Sequence, residues 1–171
     1  RMDFSSFDQV VAHLKAAFPQ QAFLGEIPNV QQPYLSVSPA FLLDVCQFLH
    51  TNNACYFDFL QSITLVDNGT EKGTIEAFYH LASLPYEKNF TLHCEIPREI
   101  GRAQLPSVSS IWRTADWHER EAYDFYGVHF NKHPDLRRIL LPADWEGFPM
   151  RKDYLAQENY HAIQVKWQKE P

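Results

Sequence analysis

The sequence predicts an α+β fold: a mostly antiparallel sheet with helices packed on one face, followed by a signature helix and an extended C-terminal arm. Three observations carry this. Two apolar stripes at helical spacing lie in the first third of the chain, three strand-like segments follow between 55 and 96, and prolines and glycines interrupt everything beyond 133.

Phe4, Phe7, Val11, Leu14 and Phe18 recur at helical spacing until Pro19 ends the pattern. Tyr34 to Val37 reads as a short strand after Pro33. Ser38 offers an N-cap with Pro39 in the first turn, and Phe41, Leu42, Val45, Cys46 and Leu49 form the stripe of a second helix that gives out at Asn52-Asn53. Cys55 to Val66 is rich in aromatic and β-branched residues, and Asp67-Asn68-Gly69 is a hairpin-turn signal. Thr74 to Ser83 alternates Ile75, Ala77, Tyr79 and Leu81 against Glu76, Phe78 and His80. After Pro85, Phe90, Leu92, Cys94 and Ile96 alternate against Thr91, His93 and Glu95, which predicts a sheet with one wet face.

Pro97 to Pro106 reads as a connecting loop. Asp116 with Glu119 three residues on predicts a capping box, and Gly127 a left-handed cap, so a helix is expected over Trp117–Tyr126. Val128 to Phe130 reads as a short strand. Prolines at 134, 142 and 149, with Gly147, forbid long regular elements thereafter. The expected division is a 1–130 α+β domain and a 131–171 extended partner-binding arm.

At 171 residues, 45% of them apolar, the chain can bury one core without staples. A net charge of −6 argues against nucleic acid as partner. No apolar run approaches the roughly 18–20 residues that span a bilayer, and Arg1-Met2-Asp3-Phe4 leads into an amphipathic segment rather than a signal peptide. Cys46, Cys55 and Cys94 are far apart and show no paired spacing, so reduced thiols packed as small hydrophobes are expected, with no metal or cluster site of the chain's own.

The charged residues concentrate in three clusters between Trp117 and Tyr154. The first runs Glu119-Arg120-Glu121-Ala122-Tyr123-Asp124-Phe125-Tyr126-Gly127. The second is His133-Pro134-Asp135-Leu136-Arg137-Arg138-Ile139-Leu140, and the third Glu146-Gly147-Phe148-Pro149-Met150-Arg151-Lys152-Asp153-Tyr154. Charge interleaved with aromatic area suits a surface that docks onto another protein. On the expected helix, Asp116, Arg120 and Asp124 fall at i, i+4 spacing, so Arg120 would bridge both carboxylates and hold them ionised.

Other chemistry fares worse. His118-Glu119 would need a second histidine at Ala122 to form a zinc-protease helix. Six glycines supply no dinucleotide or phosphate loop, and Ser107, Ser109 and Ser110 lie in no nucleophile elbow. His133-Pro134-Asp135 matches the tripeptide of J-domain co-chaperones, but without the flanking helix pair. Arg137, Arg138, Arg151 and Lys152 are interleaved with acids, which cancels the field a phosphate backbone needs. The rival of a different class is an independent enzyme using the Glu121/Asp124 pair.

Taken together, the three clusters resemble the signature of the 30 kDa-type subunit, the C subunit, of proton-pumping NADH-quinone oxidoreductase, respiratory complex I. The matching positions are Trp117, Arg120-Glu121, Asp124 and Tyr126-Gly127; His133-Pro134 with Leu136, Arg137, Arg138, Ile139 and Leu140; and Gly147, Pro149, Arg151, Lys152 and Asp153. Upstream, Pro106-Ser107-Val108 ahead of Trp112 is the clearest echo. Tyr126, Met150 and Leu155 stand where the family usually carries Phe, Leu and Pro.

The resemblance implies a cofactor-free member of the peripheral arm beside the quinone-reducing module. Its C-terminal segment would wrap the neighbouring D subunit, and NAD, FMN, iron-sulfur clusters and quinone would be held by partner subunits. Its place would be the cytoplasmic side of the bacterial inner membrane, with no membrane contact except through partners. Glu119, Arg120, Glu121 and Asp124 would brace the signature helix, and Arg137, Arg138, Arg151, Lys152 and Asp153 would clamp the partner. A nearer alternative keeps the same part in a membrane-bound hydrogenase or a photosynthetic complex of the same type.

Overall fold

The structure, a computed structural model, describes residues 7–164; Phe4 of the first stripe and the last seven residues of the arm lie outside them. Helix α1 (Phe7–Ala17) buries Val10, Val11 and Leu14. Strand β1 (Phe23–Ile27) follows, then β2 (Tyr34–Val37). A 3-10 turn at Pro39–Phe41 leads into α2 (Leu42–Thr51), which buries Leu42, Val45, Cys46 and Leu49. Ser38 precedes that turn as expected, yet its side chain makes no capping bond.

Strands β3 (Phe59–Asp67), β4 (Thr74–Ser83) and β5 (Lys88–Pro97) complete a sheet in the order β1-β2-β5-β4-β3. Every pairing is antiparallel except β2 with β5, so the α+β expectation holds. The buried sides of β4 and β5 are those that the alternation assigns: Ile75, Ala77, Tyr79 and Leu81, then Phe90, Leu92, Cys94 and Ile96. Phe7 stacks on Phe90, and Phe18 meets Phe48 edge-on, so α1, α2 and the sheet share one core. Each fully buried leucine there is worth about 2 kcal/mol of transfer free energy.

Several local expectations give way. The third strand begins at Phe59, because Tyr56 takes a left-handed φ of 40° and turns the chain before it. Asp67-Asn68-Gly69 does not form a tight hairpin turn. Gly69–Lys72 make a helical turn, α3, that Gly73 ends at φ 70°. The second face of β5 is not wet, for Thr91 and His93 are buried and Tyr34 and Phe78 pack on the His93 ring. The Pro97–Pro106 loop contains strand β6 (Gln104–Pro106).

Beyond it lie α4 (Ala115–Tyr126) and β7 (His129–Asn131), which pairs in parallel with β6. From Lys132 the chain is irregular until a small hairpin, β8 (Asn159–Tyr160) with β9 (Ile163–Gln164). That irregular run does not extend away from the molecule. It returns to α4, with the Met150 N–H bonded to Phe125 O at 3.2 Å.

Candidate functional site

Helix α4 is the axis on which the three charged clusters meet. It starts behind Thr114, whose side chain bonds Leu60 O on β3 at 3.0 Å instead of capping the helix. The expected Asp116–Glu119 capping box does not form, because Glu119 turns into the interior. Its Oε1 accepts from Val108 N at 2.7 Å, and its Oε2 from Ser107 Oγ at 2.6 Å. Glu119 is fully buried, and burial pushes its carboxyl up to about 7, opposed by Ser107 and Val108 and reinforced by Asp116.

At the far end, the Gly127 N–H bonds Tyr123 O at 2.9 Å with φ 70°, the left-handed cap the sequence announces. A Cβ there would also meet the Phe148 ring at 2.6 Å. Glycine is therefore required twice, by its backbone angle and by an aromatic ring of the third cluster.

The second cluster is fastened by Asp124. Oδ1 accepts from Arg138 Nη1 at 2.8 Å, while Oδ2 accepts the successive N–H groups of Ile139, Leu140 and Leu141 at 3.1, 2.8 and 3.0 Å. Burial works to raise this carboxyl, but those donors outweigh it and hold Asp124 below the ordinary carboxylate range. Arg138 also donates to Asp124 O, Trp145 O and Gly147 O, and lies 5.3 Å from the Phe148 ring centre. One guanidinium thus ties all three clusters. His133 is buried, with Nδ1 accepting from Asp135 N at 3.0 Å and Nε2 facing Asp116 O at 3.2 Å.

The third cluster reaches the sheet. Arg151 is buried and donates to Tyr126 O at 2.6 Å and Arg98 O at 2.8 Å. Arg98 grips Asp67 through Nε at 2.6 Å and Nη2 at 3.0 Å, and pairs with Asp153 on its other side. The Lys152 N–H adds a bond to Asp67 Oδ2 at 2.8 Å. Burial would raise the Asp67 carboxyl, but Arg98 and the N–H groups of Lys152 and Gly69 hold it at about 2.

These contacts correct two expectations. Arg120 does not bridge Asp116 and Asp124, which are engaged by His133 and Arg138; it donates to Arg137 O and stacks 5.2 Å from the Trp117 ring. Arg138, Arg151 and Asp153 do not stand free to clamp a partner, since each faces the chain's own backbone or the buried Arg98. Arg137 and Lys152 remain exposed, Pro134 lies at the surface, and Leu136 packs half-buried against the core. Pro149 is half-buried, and Gly147 has φ 81° with the Tyr154 ring against it. Glu121 lines a groove with β3, Phe125 and Met150, whereas Asp124 is saturated, so the two form no acid–base pair.

Sequence reasoning missed Arg98 and Asp67 as members of the site, since Arg98 sits in no recognisable pattern and Asp67 was read only as part of a turn; Ser107 had one signal, the Pro106-Ser107-Val108 echo. Among the described residues, no group of three or more His, Cys, Asp and Glu stands close enough to hold a metal ion. The three thiols are buried, which pushes Cys55 to about 11 and Cys94 to about 12. Large apolar side chains surround the fastened clusters on the outside: Trp117 is 62% exposed, Leu140 59%, Met150 54% and Leu155 88%.

Residues 35–160 match the family described as respiratory-chain NADH dehydrogenase, 30 Kd subunit. The NADH-quinone oxidoreductase C subunit numbered 2 in Rhizobium etli is 46% identical over 121 residues, covering 70% of this chain and 62% of that protein. The C subunit of Chloroherpeton thalassium is 45% identical over 123 residues, covering 70% and 49%. The chain therefore spans about half to three-fifths of the length of these two relatives. In Azotobacter vinelandii a protein named as a C/D subunit is 36% identical over 155 residues, 86% of this chain and 26% of that protein. A chain in the structure of the membrane-bound sulfane sulfur reductase, an archaeal respiratory membrane complex, superposes with a TM-score of 0.72 at 26% identity, covering 86% of this chain and 84% of that one.

Proposed function

The chain belongs to the 30 kDa subunit family of respiratory-chain NADH dehydrogenase, and on that premise we propose that it is a non-catalytic, cofactor-free structural subunit of a proton-pumping NADH-quinone oxidoreductase. It docks on the D subunit in the peripheral arm, on the cytoplasmic side of a bacterial inner membrane. NAD, FMN, iron-sulfur clusters and quinone belong to partner subunits. The relative whose name joins C and D in one polypeptide supports that neighbour. No helix among the described residues is long and apolar enough to cross a membrane, which accords with attachment through partners.

The observation that carries the reading is the division of labour around α4. The Asp124–Arg138 pair fastens the arm to α4 and the Arg98–Asp153 pair fastens it to the sheet, and they leave Trp117, Leu140, Met150 and Leu155 facing outward. Exposed aromatic and apolar side chains on a rigid support are what a docking surface requires. Their effect is to present a preformed face, so little ordering entropy opposes association. The Glu121/Asp124 enzyme reading loses its pair, because Asp124 already accepts three backbone N–H groups and an arginine.

Purification of the tagged chain from its host membranes in mild detergent, followed by an assay of NADH-driven quinone reduction, tests the proposal. Co-purification of an iron-sulfur assembly with that activity supports it; recovery of the chain alone with turnover of its own overturns it. The likeness to a chain of the sulfane sulfur reductase complex favours a second reading, the same part in a membrane complex with another donor. An assembly that lacks NADH activity would select it.

A further inference from the structure

We propose that Glu119, with Ser107, Ser109 and His133 around it, is a buried proton-binding site that exchanges its proton with solvent through the two serine hydroxyls. The argument begins with what Glu119 lacks. The carboxyl is fully buried, and its hydrogen-bond donors are neutral, the Ser107 hydroxyl and the Val108 N–H. The ionisable base within reach is the His133 ring, with Nε2 3.8 Å from Glu119 Oε2. Its Nδ1 is turned away from Glu119 and accepts the Asp135 N–H at 3.0 Å.

Other groups add to the pressure. Asp116 lies on the same helix with Oδ1 3.3 Å from that His133 nitrogen, a second carboxylate sharing one imidazole. Tyr79 on β4 and Cys46 on α2 feel the Glu119 charge, and burial holds both in their protonated forms. From α4, the loop after β6, β4 and α2, the groups named here as facing Glu119 are thus uncharged donors or acids, and the 133–135 turn adds the His133 imidazole at 3.8 Å. A carboxylate so enclosed is relieved by taking up a proton. The displacement of its pKa to about 7, caused chiefly by burial, agrees with the geometry.

The serines supply the route. Ser107 Oγ is 2.7 Å from Ser109 Oγ; Ser107 is buried, and Ser109 is half-exposed. With Glu119 ionised, Ser109 donates to Ser107 and Ser107 donates to Oε2. With Glu119 protonated, both bonds reverse: Oε2 donates to Ser107, and Ser107 donates to Ser109. One proton enters at Ser109, one arrives at Glu119, and no heavy atom moves. The Ser109 N–H, 3.2 Å from Ser107 Oγ, holds the pair in register in both states.

Carbon-13 NMR of the full chain, labelled at glutamate carboxyls and titrated from about pH 4 to about pH 9, tests this against the ordinary carboxylate range. One resonance is expected to titrate with a midpoint near 7 and to be missing from Glu119→Gln. Ser107→Ala, which loses a donor that favours the ionised form, should move that midpoint upward. Ser109→Ala should leave the midpoint in place but broaden the resonance by slowing exchange. Titration of every glutamate in the ordinary range overturns the site, as does a midpoint indifferent to Ser107→Ala. An unchanged line shape in Ser109→Ala overturns the route. Where Glu119→Gln fails to fold, the response to Ser107→Ala assigns the resonance.

Discussion

Asp124 and Arg138 are joined by more than an ion pair. The carboxylate that accepts the arginine at 2.8 Å also accepts three consecutive backbone N–H groups, from Ile139 to Leu141. An acid on the helix thereby ends the freedom of a loop fifteen residues downstream, in the manner of an anion held in a backbone nest.

Asp124→Asn should accordingly destabilise the chain by about 3–5 kcal/mol, because the variant leaves Arg138, whose side chain is only 14% exposed, without its charge partner. Denaturant unfolding measures it. A loss under about 1 kcal/mol would mean that the loop is held by other contacts.

The pH dependence has a defined sign. Glu119 has a folded pKa of about 7, above its ordinary 4.5. Between those values the folded chain keeps a proton that the unfolded chain releases, so stability falls as pH rises through that window and stays lower above it. The full deficit is about 3 kcal/mol, and Glu119→Gln should flatten the profile and unfold at higher temperature than the parent at pH 8, with thermal melts across the window as the check.

Asp67 acts in the opposite sense. Its folded pKa of about 2 lies below the ordinary 3.8, so its contribution is present above 3.8 and is lost as pH falls towards 2. Arg98→Gln should shrink this acid-side loss, together with the part of the native-state stability that Arg98 supplies, while the Gly69 and Lys152 N–H groups keep the rest, and acid titration followed by circular dichroism would detect it.

Gly127→Ala should cost more than the roughly 1 kcal/mol typical of a left-handed glycine, since its methyl group would also collide with Phe148. In a Phe148→Ala background the same substitution should cost measurably less. Simple additivity in that double-mutant cycle would show that the ring plays no part.

Trp117→Ala is expected to leave unfolding free energy within about 0.5 kcal/mol of the parent, as for most surface substitutions. It should nonetheless reduce the amount of assembled complex, with a cost of about 2 kcal/mol or more if the residue is an interface anchor. Blue-native gels of membranes carrying each variant separate the two effects, and Arg151→Ala should show the reverse pattern, with folding hurt first.

Periodic features were legible in the sequence. The alternation of Ile75, Ala77, Tyr79 and Leu81 named the buried face of β4, and Gly127 marked the end of α4, because each signal lies within one element. Strand β1 escaped notice since Gly25 interrupts it and its register slips there. The wet face assigned to His93 was a matter of neighbours: Tyr34 and Phe78 cover it from other strands. Most of the site was read as a set of residues but not as a set of pairs. Arg120 had two acids at ideal helical spacing and took neither, because His133 and Arg138 arrive from outside the helix. Asp67 was legible only as part of a turn and Arg98 not at all, because the pair they form, and its closure by Lys152 and Asp153, join residues tens of positions apart.

The Asp67 carboxylate is shared between Gly69, Arg98 and the Lys152 amide, which spans 85 positions of the chain. During synthesis these partners emerge at different times. Gly69 and Arg98 are available while the C-terminal residues are still being added, so the sheet can close first with Arg98 half-satisfied. Lys152 and Asp153 then arrive as the last members and complete the pair. A chain cut short before residue 151 would thus keep the Arg98–Asp67 pair but lack the Lys152 amide and the Asp153 carboxylate that close it from the other side.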